Sequence, residues 1–430
     1  MSDNYKAIVG KVRLIPIEGA KTLQLAIYNG LTFAVDKSYT EDKLYLIFPP
    51  DGQLSEEYTT ANDLLRRRDD NGKPAGGFFE NNRKVRTIKL MKGAVISVGF
   101  IADLDSLTFT KGSIEDLKEG DEISEFNDVP ICNKYINQAT LNARGKNNQP
   151  KKKRDYANII GFAEHQDTSQ FYKSKNLLEP GDLVTVTLKL DGTSVRCGNP
   201  YMQKYNTLWN RVISKIFKAN MFFNRMTTGT RRVVLDPANN ASGYYGDRDM
   251  YRELQNKVNG LLLPGETLYA EIVGWLDENR PIFKRGNQVF KYGQESGTRG
   301  IYVYAIKHTS PNGYSYHLPW SLVKSRCMEL GIKHVPELNF KDSSTQLIVP
   351  QYKDDSAKDS FLDAISARID ELICGADPLD PSHIREGVVI RIDKKNMNLT
   401  YFLKAKSAEY YALEDSSKLD EGFVDIEEAA

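Results

Sequence analysis

The chain has 430 residues, of which 40% are hydrophobic and 27% are charged, and its formal net charge is +1. The length favours two or three domains, and the composition is that of an ordinary globular protein. A net charge this close to zero excludes nucleic-acid binding through overall charge, so any such binding must come from a local basic patch.

Cysteine spacing and the N-terminal sequence indicate the compartment. Cys132, Cys197, Cys327 and Cys374 are far apart and form no C-x-x-C pair, which argues against a zinc ribbon or a disulfide framework. Residues 1–30 lack the layout of a signal peptide, and no apolar run is long enough to span a membrane. We therefore expect an intracellular, cytoplasmic protein without a membrane partner, encoded by a cell or by a virus.

The N-terminal region predicts short strands separated by turns. Four segments alternate or run apolar and stop at Gly, Pro or Asp: "AIVGKVRLIPI", "TLQLAIYNG", "LTFAVDKSY" and "LYLIFPPDG". This spacing is typical of a small all-β barrel. Strand patterning returns in "RKVRTIKLMKGAVISVGF", residues 83–100, with a dense basic face, and we expect the first domain to end between residues 120 and 145.

A basic stretch and an α+β pattern follow. Residues 142–155, "NARGKNNQPKKKRD", contain six basic residues and no apolar periodicity, so they are either a solvated linker or a phosphate-contacting segment that orders on RNA or DNA. From residue 158 onward strands alternate with helical stretches, of which residues 206–226 and 321–331 are the clearest. The second domain is therefore predicted to be α+β.

The segment "LVTVTLKLDG", residues 183–192, predicts a strand that presents a lysine to a polar cleft. Alternation puts Val184, Val186, Leu188 and Leu190 on an apolar face and Thr185, Thr187 and Lys189 on the other. Asp191 and Gly192 suit a sharp turn, because glycine tolerates positive φ and a close approach to the backbone. K-x-D-G alone is a weak signal, and "KLDEG", residues 418–422, is a decoy without a strand before it.

Three later strands also carry charged side chains on one face. Glu271 in "TLYAEIVGW" lies opposite Leu268, Ala270 and Ile272; Glu386 precedes the apolar run of "REGVVIRID"; Lys404 and Lys406 share a face of "TYFLKAKS". Any one of these strands alone is better explained by a solvated edge. Together they supply a nucleophilic amine, acids for a metal or ribose hydroxyls, and two cations for phosphate, which are the groups that covalent nucleotidyl transfer requires.

These segments resemble the ordered motifs of the covalent nucleotidyltransferases, which comprise DNA ligases, RNA ligases and mRNA capping enzymes. The similar segments are "KLDG" for motif I, "LYAEIVG" for motif III, "IYVYAIK" for motif IIIa, "EGVVIR" for motif IV and "LKAK" for motif V. Only 24 residues follow Lys406, which leaves no room for a domain after motif V. With "GFFENNRKVRTIKLMKG" and "FAEHQDTSQ", the chain resembles the RNA ligases with an amino-terminal OB domain, sometimes called RNA ligase family 5.

The resemblance implies an architecture and a reaction. It implies an OB-like β-barrel that binds nucleic acid, residues 1–140, followed by a nucleotidyltransferase domain of antiparallel sheets with flanking helices, residues 141–430. It implies ATP as the nucleotide, Mg²⁺ or Mn²⁺ as the metal, and RNA or an RNA/DNA duplex with a nick as the partner of a monomeric enzyme. No G-x-x-x-x-G-K-[ST] occurs, which excludes a Walker-type ATP site.

The resemblance also assigns site residues. Lys189 would attack the α-phosphate of ATP and carry AMP, which then moves to a 5′-phosphate end and is displaced by a 3′-hydroxyl. Asp191 and Glu386 would hold the metal, through water. Glu271 would bind the ribose, and Tyr304 would stack on adenine or, equally well, belong to the core. The remaining nucleotide contacts would come from Gly192, Arg231 (preferred over Arg232), Lys404 and Lys406. His165 is expected to be structural.

An ordinary lysine has a pKa of about 10.4 and is protonated at neutral pH, so Lys189 needs nearby positive charge from the metal, Lys404 and Lys406 to attack. At this point a DNA ligase, a capping-type guanylyltransferase and a non-enzymatic nucleic-acid-binding protein on an inactive ligase scaffold stay open as alternatives.

Overall fold

The computed structural model describes residues 5–69, 74–144, 156–166, 168–204, 222–235, 248–395 and 398–418. The chain divides into two compact units, residues 1–141 with 407–424, and residues 142–406 with 425–430. The basic stretch at 145–155, residues 206–221 of the predicted helix and the acidic tail beyond residue 418 lie outside the described residues. Among the described residues no helix is long and apolar enough to cross a membrane.

Within the described residues the α-helices are few and mostly short. They are α1 (Glu56–Ala61), α2 (Gln138–Arg144), α3 (Phe171–Ser174), α4 (Arg248–Lys257), α5 (Trp320–Glu329), α6 (Asp355–Ile373) and α7 (Ala408–Lys418). Helix α5 confirms the helix predicted at residues 321–331. The helix predicted at 206–226 is wrong at its end, because Phe222–Asn224 is a strand.

The N-terminal unit is built from short antiparallel strands. They are β1 (Ala7–Gly10), β2 (Arg13–Pro16), β3 (Leu23–Tyr28), β4 (Leu31–Asp36), β5 (Tyr45–Phe48), β6 (Gly52–Leu54), β7 (Arg67–Arg68), β8 (Pro74–Gly76), β9 (Thr87–Leu90), β10 (Val95–Val98), β11 (Phe100–Asp103), β12 (Glu122–Ile123), β13 (Glu125–Phe126), β14 (Val129–Pro130) and β15 (Cys132–Lys134). The strands predicted in residues 7–50 and 83–100 are confirmed.

These strands form several small sheets. The largest have the orders β11-β5-β1-β12 and β2-β3-β4, and the other strands of this unit pair two by two. In the described part of the unit the sheets do not close into a barrel, so the OB-like barrel stays a prediction. The core contains Val9, Leu46, Phe48, Tyr58 and Leu107, all fully buried.

Helix α7 lies in the N-terminal unit, whereas the predicted domain division at residue 140 assigns it to the second domain. Asp415 on this helix lies 2.5 Å from the Nζ of Lys84, and both side chains are buried. The backbone N–H of Thr87 donates to the same carboxylate. Lys84 therefore does not belong to an exposed basic face, which corrects the interpretation of residues 83–100. Arg86 of that segment likewise lies near an acid, 3.8 Å from Glu80.

The second unit contains two larger sheets. Its strands are β16 (Tyr156–Ile160), β17 (Ser169–Gln170), β18 (Leu183–Lys189), β19 (Thr193–Gly198), β20 (Tyr201–Lys204), β21 (Phe222–Asn224), β22 (Thr227–Gly229), β23 (Glu266–Gly274), β24 (Lys284–Arg285), β25 (Gln288–Val289), β26 (Arg299–Thr309), β27 (Ser315–His317), β28 (Lys333–His334), β29 (Gln346–Ile348), β30 (Gly387–Asp393) and β31 (Thr400–Lys406). One sheet has the order β17-β31-β30-β18-β29, and the other has the order β22-β19-β23-β26-β27 with β28 beside β26.

Most strand pairs of this unit are antiparallel, the exceptions being β17 with β31 and β26 with β28. The α+β class with antiparallel sheets and helices is confirmed. In the first sheet Val184 and Val186 pack with Ile390 against Leu362 and Ile369 of α6, which explains why this face is apolar.

The opposite face of β18 is buried as well. Thr185 and Thr187 are 0% and 4% exposed, so the strand is covered on both sides. Lys189, the residue predicted to face a polar cleft, lies at the end of the strand, and 23% of its side chain is exposed.

Candidate active site

Strand register brings the charged ends of three strands together. In the antiparallel pairing of β18 with β30, Lys189 lies opposite Gly387, and in the pairing of β30 with β31, Gly387 lies opposite Lys406. Opposed residues in a sheet lie about 5 Å apart, so the two lysines flank the residue that follows Glu386. The predicted motifs I, IV and V thus meet at one sheet end.

The side chains in this row contact one another. Lys189 Nζ lies 2.6 Å from Glu386 Oε1, and Lys406 Nζ lies 3.4 Å from the same oxygen. Glu386 is 2% exposed, so the pair is largely shielded from solvent. One buried carboxylate is therefore shared by two ammonium groups, so its single negative charge offsets only one of the two positive charges.

Two glycines let the backbones approach closely here. A Cβ on Gly387, whose φ is +155°, would lie 2.1 Å from the carbonyl oxygen of Ala405, and a Cβ on Gly192 would lie 2.3 Å from that of Ile272. Any larger residue would separate the strands. Gly192 has no positive φ, so that part of its predicted role is wrong, and the predicted close approach of a ligand stays a prediction.

Asp191 is buried beside this row. Its backbone N–H donates to the Tyr292 hydroxyl at 2.7 Å, and its Oδ2 lies 3.5 Å from Arg285 Nε. Burial raises the pKa of Asp191 to about 8, with the Glu386 carboxylate adding to the shift and Arg285 opposing it. Sequence reasoning missed Arg285 and Tyr292, which belong to none of the motif segments.

Glu271 lies on the second sheet, opposite Ser194 in the pairing of β19 with β23. The Ser194 hydroxyl donates to Glu271 Oε2 at 3.1 Å. Leu268, Ala270 and Ile272 are fully buried, whereas Glu271 is partly exposed, which confirms the predicted opposition of faces. The carboxylate keeps acceptor capacity for a hydroxyl group.

Tyr304 lies at a β-bulge of β26. Glu271 pairs with Tyr302 and Ala270 with Val303, but Tyr269 pairs with Ala305, so the register of β23 with β26 passes over Tyr304. A bulge redirects the side chain at that point, so simple alternation along β26 does not give the direction of Tyr304. The Tyr304 hydroxyl is hydrogen-bonded to His165 Nδ1.

His165 belongs to a segment that covers the same region. Its ring packs edge-on against Tyr269, with centroids 5.1 Å apart, and its backbone N–H donates to the carbonyl oxygen of Arg231 at 3.3 Å. Arg231 is half-buried and Arg232 is exposed. The backbone of Arg231 therefore lies near the His165–Tyr304 pair.

Lys404 lies one row farther from the site than Lys406. It is opposite Val389 on β30 and pairs with Gln170 of β17 on its other side. Like Lys406 it is partly exposed. Both lysines thus lie on strand β31 between neighbouring strands, at a rigid part of the sheet.

The acids fit a divalent cation. Asp191 Oδ2 and Glu386 Oε2 are buried, and neither accepts a hydrogen bond from the described residues. Mg²⁺ and Mn²⁺ prefer such carboxylate oxygens, and Mg²⁺ commonly keeps several waters. The described residues contain no group of three or more His, Cys, Asp or Glu that would form a closed cage.

The sequence profile of the RNA ligase family matches residues 182–406, which is more than half of the chain and runs from strand β18 to Lys406. The chain belongs to the RNA ligase family. No curated protein matches it in sequence at a significant level. As a member of this family the protein is a ligase.

Solved structures of Naegleria gruberi RNA ligase have a similar fold. A mutant of that enzyme with ATP and Mn gives a TM-score of 0.55 at 16% identity, covering 94% of this chain and 98% of that one. The same enzyme with PPi gives a TM-score of 0.52 at 16% identity, covering 94% and 97%. At this identity the likeness to this RNA ligase concerns the fold.

Proposed function

We propose that the protein is an ATP-dependent RNA ligase that joins a 3′-hydroxyl RNA end to a 5′-phosphate end, at nicks in duplexes, through an AMP carried on Lys189. The observation that carries the proposal is the row in which Lys189 and Lys406 share the buried Glu386 carboxylate. Such a row combines a nucleophile, an acid and a phosphate-binding cation on one rigid sheet.

In the first step the free amine of Lys189 attacks the α-phosphorus of ATP. A P–N bond forms, the bond from the α-phosphorus to the bridging oxygen breaks, and pyrophosphate leaves; the ammonium has lost a proton before the attack. The carboxylate 2.6 Å away favours the charged ammonium over the amine. Attack therefore requires that Glu386 first be drawn away from Lys189.

A divalent cation between Asp191 and Glu386 would neutralise phosphate charge, and the N. gruberi RNA ligase structures with ATP and Mn support ATP and Mn²⁺ as its natural choices. Lys406 and Lys404 would receive phosphate oxygens as a compact pair of positive charges. Glu271, already held by Ser194, would accept from a ribose hydroxyl.

In the remaining steps AMP passes from Lys189 to the 5′-phosphate, and the 3′-hydroxyl then displaces it. We propose that the N-terminal unit binds the nucleic acid through phosphate contacts, which salt weakens steeply. Lys89 and Lys92, at the β9–β10 hairpin, are exposed and suit this role.

Self-adenylylation tests the first step. The protein incubated with α-labelled ATP and Mn²⁺ should retain labelled AMP, and Lys189→Ala should retain none, whereas exposed Lys353→Ala should label as the wild type does. Label on Lys189→Ala would refute the assignment. Parallel incubations with GTP and NAD separate this function from a capping-type guanylyltransferase, since an adduct formed only from GTP would contradict the proposal.

Nick-sealing assays test whether the protein joins RNA or DNA ends. Duplexes with RNA or DNA on each side of a nick should be sealed only where the 3′-hydroxyl end is RNA, and equal sealing of all-DNA nicks would favour a DNA ligase. Helix α7 packs in the N-terminal unit, so substitutions in the full chain are preferable to truncation. The double variant Lys89→Glu, Lys92→Glu should self-adenylylate normally and seal poorly; Lys353→Glu is the matched control, and unchanged sealing would contradict the role of the N-terminal unit.

A further inference from the structure

Arg196 on strand β19 is a buried cation with two unsatisfied donor atoms in the described part of the chain. It is 1% exposed, and its Nε and Nη1 donate no hydrogen bond to any residue that the structure describes. Within the same residues it forms no ion pair. Burial lowers the pKa of this guanidinium, and Tyr269, Glu164 and Tyr304 oppose the shift. A buried charged group with unsatisfied donors is costly, so an acceptor that binds here would be held strongly.

The equally buried Arg391 shows how this fold provides hydrogen-bond acceptors for a guanidinium whose role is structural. Arg391 is also 1% exposed, but its Nε lies 2.9 Å from Asp393 Oδ1 and its Nη2 donates to the carbonyl oxygen of Leu318. Among the described residues Arg196 forms no such ion pair, although the charge of Glu164 acts on it. Its guanidinium carbon lies 4.7 Å from the centroid of the Phe162 ring.

Arg196 lies on the face of the sheet that carries the proposed ribose contact. Side chains two apart on a strand point the same way, so Arg196 is on the side of Ser194 and about 7 Å along the strand from it. Across the sheet, Ser194 pairs with Glu271 and Arg196 pairs with Tyr269. A base attached to a ribose at Glu271 is thus within reach of Arg196.

The groups around Arg196 suit a flat ring. Tyr269 packs against His165, which in turn binds the Tyr304 hydroxyl. A Cβ on Gly229, in the neighbouring strand, would come within 2.8 Å of Arg196 Nε, so the guanidinium fits only against a residue without a side chain. The donors are therefore held in place on a rigid strand among aromatic rings.

We infer that Arg196 is a nucleotide-binding residue that donates from its guanidinium to an acceptor nitrogen of the purine base. The inference rests on the proposed nucleotide site and adds the recognition of the base to it. A guanidinium presents only donors, and N1, N3 and N7 of adenine are acceptors. Arg196 thereby selects for a base with a ring nitrogen at one defined position.

Binding of AMP analogues tests this inference. The full-length protein, freed of bound AMP with pyrophosphate, is titrated calorimetrically with AMP and with its 1-deaza, 3-deaza and 7-deaza analogues. With the wild type one analogue should bind about 10- to 100-fold more weakly than AMP, the loss expected for one charge-assisted hydrogen bond. With Arg196→Met and Arg196→Lys that analogue and AMP should bind within about threefold of each other.

The outcomes separate the two proposals. If the wild type does not bind AMP at all, the proposed function fails. If it binds AMP but Arg196→Met discriminates among the analogues as the wild type does, or binds AMP equally well, the role of Arg196 is refuted and the proposed function stands.

Melting temperature of the ligand-free protein provides a second readout. Replacing an unpaired buried charge by an apolar side chain should leave the melting temperature of Arg196→Met equal to or above that of the wild type. Arg391→Met, the matched control, removes a satisfied guanidinium and should melt earlier without changing the analogue ratios. A fall for Arg196→Met as large as that for Arg391→Met would show a structural role and overturn the inference.

Discussion

Lys189 Nζ and Glu386 Oε1 lie 2.6 Å apart although 197 positions separate these residues in the chain. Lys406 approaches the same oxygen at 3.4 Å. The carboxylate therefore stabilises both ammonium groups, including that of the proposed nucleophile. Whatever draws Glu386 away from Lys189 favours the reactive amine, so Glu386 controls the state of the lysine as well as the binding of cations.

Glu386→Gln tests this relationship. The substitution removes one counter-charge from two neighbouring ammonium groups, so we expect the free energy of unfolding to fall by about 3 kcal/mol. It also removes a carboxylate proposed to hold the metal, so self-adenylylation should fall about a hundredfold or more. Denaturant unfolding and AMP labelling measure the two effects. Glu179→Gln, which removes an exposed partner of Lys394, should change neither appreciably. Labelling of Glu386→Gln near the wild-type rate would contradict the role.

Lys404→Ala and Lys406→Ala test the proposed phosphate contacts. Both side chains lie on β31 between paired strands, so their removal should leave the circular dichroism spectrum intact. Loss of one positioned donor to phosphate should lower the rate of self-adenylylation about 100- to 1,000-fold. Lys406→Arg should restore part of the rate, because it keeps the charge. Either alanine variant that labels normally would remove that lysine from the proposed site.

The buried pair of Lys84 and Asp415 is expected to anchor helix α7 in the N-terminal unit. Asp415→Ala leaves a buried ammonium without its partner, so the unfolding free energy should decrease by about 3–5 kcal/mol. The double variant Lys84→Met, Asp415→Leu should recover most of this loss, because no unpaired charge remains. Thermal and denaturant unfolding provide the values. A double variant no more stable than Asp415→Ala would show that packing, and not charge, dominates there.

His317 should make the protein sensitive to acid. Burial, with Lys307 and Arg391 nearby, lowers the pKa of His317 from 6.5 to about 3. Between these pH values His317 is protonated in the unfolded chain but neutral in the native state. The unfolding free energy therefore falls as the pH drops through this range. At pH 4 the loss should be about 2–3 kcal/mol.

His317→Gln and His317→Phe, which cannot titrate, should lack this part of the pH dependence. Denaturant midpoints of the wild type and both variants between pH 7 and pH 4 measure the difference. Parallel curves for all three proteins would mean that His317 is not held neutral by the fold.

The sequence by itself determined the parts of the site that depend on local pattern. Period-two alternation places Glu271 opposite Ala270 and Ile272, and covalent adjacency puts Asp191 within two residues of Lys189, whatever the remainder of the chain does. The order of the motif segments also indicates the family. These features follow from strand geometry, which acts between residues close in sequence.

The tertiary structure alone decided which strands are neighbours and in what register. A shift of one residue in the register of β18, β30 or β31 would point Lys189 or Lys406 away from Glu386. The alternation within each strand would be the same with or without this shift, so the pattern of a single strand does not reveal the register. Arg285 of β24 and Tyr292 reach Asp191 from a part of the chain about 100 residues away, and the unsatisfied donors of Arg196 depend on which described residues the fold places around it. Such long-range contacts have no local signal, because burial and charge pairing are properties of the assembled fold.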